Sequence, residues 1–584
     1  MSSHPMAFRV PIRILTVLVA LGSGAAQAQL SREQKLHDFQ NLAAVYAKRY
    51  APYEWKKQLF NYDLFDLAGW LQRVEGSRDD LEFFEICSEY VARLDDIHVT
   101  FRNPSTFTAD SGVRVDIYDD KVLIDAINRT ALPAGLFPLQ VGDELVSVDG
   151  VDVERLIGQF TRLLKRANPR TTRRIVSDYL TFRPQSLFPR AVELGDTARM
   201  EIRRQDGTLE TYTIPWAKSG FPIRAIGPVP TPSGRPPVKT GAKTFGFGLP
   251  STLSEEPPDY LRPLVDLGWS FVSNLEEYGV LGWGSRTPVF ALPPNFVQRL
   301  GRMPTDFHLS GTYEAGGMRL GYIRIPNFSP PNTANALREM ETEVAFFEQN
   351  TDGLVVDVTR NTGGLICYGL ETLRRLIPQR FTYLGFELRA TLNWLNGFQA
   401  SLDAARRARA DQWIIDLYSN YVAQIRDSYE NNRGRTGPLP LCGLSFEYEP
   451  ARSPTGALIA YSKPTIMLID EFSTSTGDMV PAAFQDNRRG PLVGWRTTGA
   501  GGSVIGWTSG LYSEASASNT ESLAVRSRPY SVPGYPTSHY IENVGVHPDI
   551  QLDYMTRENL LNRGSVFVAD FTGVIVSHLL DSRR

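Results

Sequence analysis

The stretch that decides the fold is PTIMLIDEFSTSTGDMVPAAFQDNRRGPLVGWRTTGAGG, residues 464–502. Its apolar run, residues 465–469, has the length and composition of a buried strand. A hydroxyl-rich turn from Ser473 to Thr476 follows, and a helix is predicted from about Gly477. Because a helix starts with free N–H groups and the positive end of its dipole, a serine there would lie where a negative oxygen is stabilised. Taken alone, the pattern also fits a plain N-cap.

Four segments in chain order resemble the tail-specific, or carboxy-terminal-processing, peptidases. They are the serine-rich turn, GYIRIPNF (321–328), DGLVVDVTRNTGG (352–364) and IENVGVHPDI (541–550). The resemblance implies an α/β core of the crotonase-like type, a spiral of ββα units. It also implies acyl transfer with Ser475 as nucleophile and Asp486 as a supporting residue.

The general base separates two branches of this family. In the Ser-Lys branch a lysine follows the supporting aspartate, but here TTGAGG places Ala500 at that position. Alanine accepts no proton, so an intact Ser-Lys site is excluded. In the tricorn-like branch the base is a histidine from an N-terminal helical segment, and RLDDIHVTF (93–101) resembles that segment. The resemblance therefore assigns His98 as the base, with His539 and His547 as rivals.

The last of the four segments, IENVGVHPDI (541–550), is called the closing motif here. It supplies Glu542, which corresponds to the glutamate of the tricorn-like site. In that pattern the glutamate orients a serine that precedes the histidine, whereas here the preceding residue is Ile97. A direct contact from Glu542 would orient the imidazole instead, or Asp95 or Asp96 would replace it.

The loop that contains Gly363 and Gly364, called the diglycine loop, and the residue after the serine complete the predicted site. Glycine lets the backbone turn tightly and point an N–H group toward a substrate. We expect Gly363 or Gly364 to be one oxyanion donor and the Thr476 N–H to be the other. This chemistry requires no metal and no organic cofactor. The sequence contains no HExxH, paired CxxC, P-loop or GxSxG motif, so other hydrolytic and nucleotide chemistries lack support.

Length and composition indicate a multidomain enzyme. A chain of 584 residues exceeds what one hydrophobic core organises, so two to four domains are expected. The net charge of −3 provides no basic field for nucleic acid. The expected partner is a polypeptide substrate, and the oligomeric state stays open.

Five segments are predicted along the chain. Arg9 and Arg13 precede a short apolar run and AAQA, which is typical of a secretory signal cleaved after Ala28. We therefore expect an exported, periplasmic or extracellular protein without stable membrane insertion, an uncleaved anchor being the alternative. The predicted segments are a signal peptide (1–28), an N-terminal helical domain (29–105), a PDZ-like domain (106–220), a Pro/Gly-rich linker and insertion (221–300), and the catalytic core (301–584) with a helical insertion at about 385–445.

The PDZ-like domain and the cysteines add two expectations. VGDELVSVDGVDV (141–153) resembles a bacterial PDZ domain, whose groove takes a C-terminal peptide as an added strand. If the carboxylate-binding loop is degenerate, the domain is a lid or spacer. The three cysteines allow one disulfide at most, and Cys367 with Cys442 is a candidate pair.

These observations favour an exported serine endopeptidase whose activity rises through the neutral pH range as an imidazole loses its proton. The alternative is a catalytically inactive pseudoprotease that binds peptides or apolar ligands, and Ala500 and Ile97 are the features in its favour. A Ser-Lys protease whose lysine has been replaced by engineering is the third hypothesis.

Overall fold

The computed structural model describes residues 30–224 and 281–582. The predicted signal peptide with its cleavage point after Ala28, and residues 225–280 of the predicted linker, lie outside these ranges. Within them the chain has the predicted α/β architecture, with a helical N-terminal part, a small antiparallel sheet and a larger mixed sheet.

The N-terminal part consists of helices whose starts are encoded locally. Ser31 and Gln34 form a capping box at the start of the first helix, and the Asp79 carboxylate accepts the Glu82 N–H at the start of the fourth. A short strand, β1 (Phe101–Arg102), then pairs with a strand near residue 517 and fastens this part to the large domain. The helices are α1 (Arg32–Arg49), α2 (Tyr53–Phe60), α3 (Ala68–Glu75) and α4 (Asp80–Ala92).

The PDZ-like part is an antiparallel sheet in the order β3-β4-β5-β8-β9, with β6 paired to β5. Helix α5 (Val153–Leu163) follows β6, and a second helix, α6, starts at an Asn168 cap followed by Pro169. The elements are β2 (Thr108–Asp110), β3 (Val113–Tyr118), β4 (Lys121–Ile127), β5 (Glu144–Val148), β6 (Val151–Asp152), α5 (Val153–Leu163), α6 (Pro169–Asp178), β7 (Phe182–Pro184), a 3₁₀ helix (Pro189–Glu193), β8 (Thr197–Arg203), β9 (Leu209–Pro215) and β10 (Ala217–Ser219).

The large domain contains the remaining elements. Its first half comprises β11 (Val297–Leu300), β12 (Leu309–Ala315), β13 (Met318–Arg324), α7 (Thr333–Asn350), β14 (Gly353–Asp357), α8 (Ile366–Leu376), β15 (Phe381–Thr382), β16 (Gly385–Leu388), α9 (Leu392–Ala408) and α10 (Gln412–Glu430). Its second half comprises β17 (Glu447–Tyr448), β18 (Thr465–Ile469), α11 (Thr476–Asp486), β19 (Leu492–Gly494), β20 (Val504–Thr508), β21 (Ser516–Thr520), β22 (Ser522–Tyr530), β23 (Ser538–Tyr540), β24 (Ile550–Gln551), α12 (Arg557–Leu561) and α13 (Ser565–Ser582).

A seven-stranded sheet, β11-β12-β13-β14-β18-β19-β24, organises this domain. Its last five strands are parallel. Parallel strands are covered on both faces, and every residue of β14 and β18 is buried accordingly. The diglycine loop follows β14 and the serine-rich turn follows β18, so both leave the sheet at the same edge. That edge is where ligands bind in open α/β sheets.

The C-terminal helix α13 is the one helix among the described residues that is long and apolar enough to cross a membrane by length and composition. The sequence analysis expected no such stretch after the signal peptide. Four apolar side chains spaced four residues apart pack into the core against the large sheet, which is the pattern of an amphipathic core helix. They are Phe567, Phe571, Ile575 and Leu579.

Helix α6 joins the PDZ-like part to the turn that precedes the serine. The guanidinium of Arg174 is buried, and it pairs with Asp116 of β3 through two nitrogens and with Glu471 through the third. Arg170 on the same helix also pairs with Glu471, and the Thr171 hydroxyl donates to the Glu471 carbonyl. These contacts fix the position of the turn after β18.

Removal of Arg174 should be costly because it leaves the Asp116 carboxylate buried without its cation, and Glu471 then pairs with Arg170 alone. We expect Arg174→Met to lower the free energy of unfolding by about 3–5 kcal/mol in urea denaturation. The matched control is Arg173→Met, since Arg173 pairs with a half-exposed Glu154 and should lose less than about 1 kcal/mol. Equal losses in the two variants would contradict this account of α6.

A disulfide bond joins Cys367 on α8 to Cys442, at a sequence separation of 75. The pairing that the sequence offered is therefore the one in the structure. It closes a loop that contains the α9–α10 hairpin, so it restricts the unfolded chain more than a short-range bridge would. Cys87 is the free cysteine of the described residues, and it is buried.

The disulfide should contribute about 4 kcal/mol to stability by the loop-closure relation. We expect a double variant, Cys367→Ala with Cys442→Ala, to unfold at the same lower urea midpoint as reduced wild type. A reductant should not shift the double variant any further. A midpoint that reductant leaves unchanged in the wild type would show that the bridge does not form.

Candidate functional site

Ser475 lies between β18 and α11 in a strained backbone conformation. Its φ of 60° and ψ of −118° are rare for a residue with a side chain. Contacts on both sides hold it there. The Ser475 N–H donates to Asp478 Oδ2 at 2.7 Å, and the Thr476 hydroxyl donates to the Gly364 carbonyl at 2.7 Å. The serine turn is thus bound to the diglycine loop.

The diglycine loop approaches the serine so closely that Gly363 must be glycine. A Cβ at Gly363 would lie 2.6 Å from the Ser475 Cβ, and its φ is 80°. The Gly363 N–H donates to Asn361 Oδ1 at 2.8 Å, so it is already occupied. In the part of the chain that the structure describes, the N–H groups of Gly364 and Thr476 have no protein acceptor. Of the two glycines offered by the sequence, Gly364 is therefore the available oxyanion donor.

Asp478 is a central residue of the site that the sequence analysis missed. Its fully buried carboxylate accepts the N–H groups of Ser475, Gly499 and Ala500, at 2.7, 2.8 and 3.2 Å. Burial raises the pKa of Asp478 to about 7, although these amides and the Thr497 hydroxyl oppose the shift. The signal in the sequence was the capping-box spacing of Ser475 and Asp478 at the start of a helix.

Asp486 lies at the opposite end of α11 from Ser475, about 16 Å along the helix. Its carboxylate pairs with Arg526 at 2.5 Å and accepts the Ser527 hydroxyl, so it supports strand β22 and not the serine turn. The rival histidines lie near this end too. His539 Nδ1 is 2.9 Å from the Arg526 carbonyl, and the His547 carbonyl accepts Gln485 Nε2.

His98 follows α4 in a buried loop held by Asp96. The His98 N–H donates to Asp96 Oδ1 at 2.8 Å, and the other oxygen of Asp96 accepts the hydroxyls of Tyr50 and Thr520. Burial lowers the pKa of His98 to about 4, with Asp96 acting in the opposite direction and Lys56 adding to the decrease. The imidazole is therefore neutral at neutral pH and able to accept a proton.

A chain of buried hydrogen bonds connects the His98 loop to the serine turn. The Asp95 carbonyl accepts Lys56 Nζ at 2.9 Å, and Lys56 forms a 2.6 Å ion pair with Glu542. The second oxygen of Glu542 accepts the Gly501 N–H at 3.2 Å. The neighbouring Ala500 N–H donates to Asp478, which completes the path to Ser475. The structure thus assembles the segments that the sequence analysis had proposed separately.

The assembled site is closed in this conformation. Ser475 is 4% exposed and His98 is 3% exposed, so a polypeptide must open the site before it reaches the hydroxyl. In the two described ranges, no group of three or more His, Cys, Asp or Glu side chains could hold a metal ion.

Comparisons with known proteins identify two matching families and several relatives. The model of peptidase family S41 matches residues 319–552, and the model of the PDZ domain matches residues 109–221. A protein of Chlamydia trachomatis is 24% identical over 627 residues, which cover 98% of this chain and 97% of the relative. A carboxyl-terminal-processing protease of Synechocystis is 24% identical over 236 residues, 40% of this chain and 38% of that protein.

The architecture as a whole is similar to a solved structure, that of mature CPAF complexed with lactacystin. The TM-score is 0.70 at 21% identity, and the superposition covers 94% of this chain and 99% of that chain. The similarity shows that the two chains share one fold over nearly their whole lengths.

The burial of His98 moves the expected pH dependence below the neutral range that the sequence suggested. A His98 base would act as the neutral imidazole, and a pKa of about 4 keeps that ring neutral until the pH falls to this value. We expect the limb of the kcat/KM profile that reports His98 to lie near pH 4, below the neutral range.

Asp478→Asn provides the control for this profile, since position 478 then cannot titrate. The acid limb should keep its position in that variant, whatever the loss in rate. A midpoint near the ordinary histidine value of about 6.5 would contradict the buried environment of His98.

Proposed function

The chain contains a serine peptidase domain of family S41, and from this premise we propose that it is an endopeptidase with Ser475 as nucleophile and His98 as general base. The observation that carries the proposal is the strained Ser475 at the start of α11, beside two backbone N–H groups that have no acceptor among the described residues. A nucleophile on a sharp strand-to-helix turn next to amide donors is the arrangement that acyl transfer requires.

The proposed reaction assigns one task to each group. Ser475 Oγ attacks the scissile carbonyl carbon while His98 takes the hydroxyl proton. The carbonyl oxygen becomes an oxyanion that accepts the N–H groups of Gly364 and Thr476. Collapse of this intermediate releases the amine, which takes its proton from His98. Water then repeats the sequence and releases the acyl group.

Two carboxylates are proposed to support the base in different ways. Asp96 holds the His98 backbone, and its charge is the one that favours the imidazolium most. The Glu542 carboxylate accepts hydrogen bonds from Lys56 and from the Gly501 N–H. These contacts support a role in fixing TTGAGG (497–502), the glycine-rich loop. A direct relay from Glu542 to the imidazole stays a prediction. Asp95 is engaged elsewhere, in a 2.8 Å ion pair with Lys165.

The substrate is proposed to be a polypeptide, and the PDZ-like domain is proposed to act on it indirectly. In the turn that leads into β3, the Asp110 carboxylate already accepts the Gly112 N–H and pairs with Arg114. The edge strand β3 is also tied to α6 by the Arg174–Asp116 ion pair. A C-terminal peptide would have to displace these contacts, which favours a spacer that positions the serine turn over an open peptide groove.

The mature protein is proposed to be exported, to the periplasm or the extracellular space. The Cys367–Cys442 disulfide supports this proposal, because such bonds persist mainly in oxidising compartments. The secretory pattern that ends at Ala28 is the second argument.

Covalent labelling with a fluorophosphonate probe tests the proposal directly. Intact mass should show one adduct on the wild type, and none on Ser475→Ala or His98→Ala, because the probe reacts only with an activated serine. Ser473→Ala is the matched control, since Ser473 lies in the same turn but donates to the Val358 carbonyl. Its labelling should persist.

A folded wild type that neither takes the probe nor cleaves unfolded protein substrates would overturn the proposal. That result would favour the pseudoprotease alternative, in which the same closed site binds without cleaving.

A further inference from the structure

Lys56 is a fully buried lysine in the helical N-terminal part, on the face of α2 that meets the large domain. Its ammonium group has three N–H donors and three acceptors. Nζ lies 2.6 Å from Glu542 Oε1, 2.5 Å from Asn543 Oδ1 and 2.9 Å from the Asp95 carbonyl. A buried ammonium is stable only when it is paired and hydrogen-bonded in this way.

The three acceptors come from two segments that carry proposed site residues. Asp95 lies three residues before His98, while Glu542 and Asn543 belong to the closing motif. Asn543 also donates back to the Asp95 carbonyl at 2.8 Å. Lys56 therefore fastens the His98 loop to the closing motif, although it comes from neither.

The partner of Lys56 continues the connection to the serine. Glu542 is fully buried, and its second oxygen accepts the Gly501 N–H, directly after Ala500. The Ala500 N–H in turn donates to Asp478, which holds the Ser475 backbone. A charged Glu542 is a stronger acceptor for this amide than a protonated one.

Resting on the proposed peptidase function, we propose that Lys56 is a positioning residue of the active site, which holds Glu542 in place and joins the His98 loop to the glycine-rich loop beside Ser475. Lys56 does not replace the missing lysine as a base, because its N–H donors are directed to Glu542, Asn543 and the Asp95 carbonyl. Its effect on the reaction passes through Glu542.

The charges around Glu542 determine what happens without Lys56. Burial and the Asp96 carboxylate raise the pKa of Glu542 to about 8, although Lys56 opposes both. In Lys56→Met this opposition is lost, so Glu542 would release its proton at a higher pH than in the wild type. The titratable and charged groups that face this cluster are Tyr50, Asp95, Asp96 and His98.

The experiment measures kcat and KM for a peptide substrate across about pH 5 to 10 in four proteins. They are the wild type, Lys56→Met, Glu542→Gln and the double variant. At neutral pH we expect Lys56→Met to lose about a hundredfold in kcat with little change in KM, as misplaced catalytic groups do. Its kcat should rise at a higher pH than that of the wild type, where its Glu542 ionises. The double variant has no carboxylate at position 542 and should show no such rise.

Lys57→Met is the matched control. Lys57 is the next residue of α2, and it is exposed and 3.7 Å from Asp63. Its profile should overlay that of the wild type.

If the kcat of Lys56→Met is lower than that of the wild type by the same factor at every pH, the inference is overturned. Lys56 is then a packing residue. If Lys56→Met does not fold, the comparison between Glu542→Gln and the double variant decides, since removal of both charges avoids an unpaired one. Equal kcat values support action through Glu542, and a double variant tenfold slower contradicts it. A wild type without cleavage or probe labelling would instead refute the peptidase function itself.

Discussion

The geometry of the site depends on the buried carboxylate of Asp478. Residues in conformations like that of Ser475 cost about 1–3 kcal/mol and persist only where their surroundings determine them. Asp478 supplies that constraint, because one carboxylate accepts the serine N–H and two N–H groups of the glycine-rich loop. The serine and the loop are therefore fixed to the same point, and the first turn of α11 is completed by the same contact.

Buried charge also brings the three parts of the chain together at this site. Arg174 connects the PDZ-like part to the turn before the serine, and Lys56 connects the helical N-terminal part to the closing motif. Each cation is buried with its carboxylates, so loss of either partner would leave an uncompensated charge in the interior. Such pairs specify one relative arrangement of the parts more strictly than apolar packing does. The site joins segments 448 residues apart in sequence, since the Asn543 side chain donates to the Asp95 carbonyl.

The strands and helices that local sequence patterns encode could be predicted from the sequence. The strand predicted at residues 465–469 is β18, and the helix predicted after the serine turn is α11. Both follow from an apolar run and a capping pattern in contiguous residues. The function of Lys56 could not be predicted in this way, because its partner Glu542 is 486 residues away and a lysine in a short helix is normally solvated. The choice between Gly363 and Gly364 likewise depended on the Asn361 side chain, and the low pKa of His98 depended on burial.

In the proposed mechanism Ser475 is the nucleophile, and the N–H groups of Gly364 and Thr476 form its oxyanion hole. A crystal structure of the protein with a peptide boronic acid tests both assignments. We expect a tetrahedral boron bonded to Ser475 Oγ, with one boron-bound oxygen within hydrogen-bond distance of both N–H groups. Boron bonded to another side chain, or an adduct on Ser475 whose oxygens face away from both amides, would contradict it.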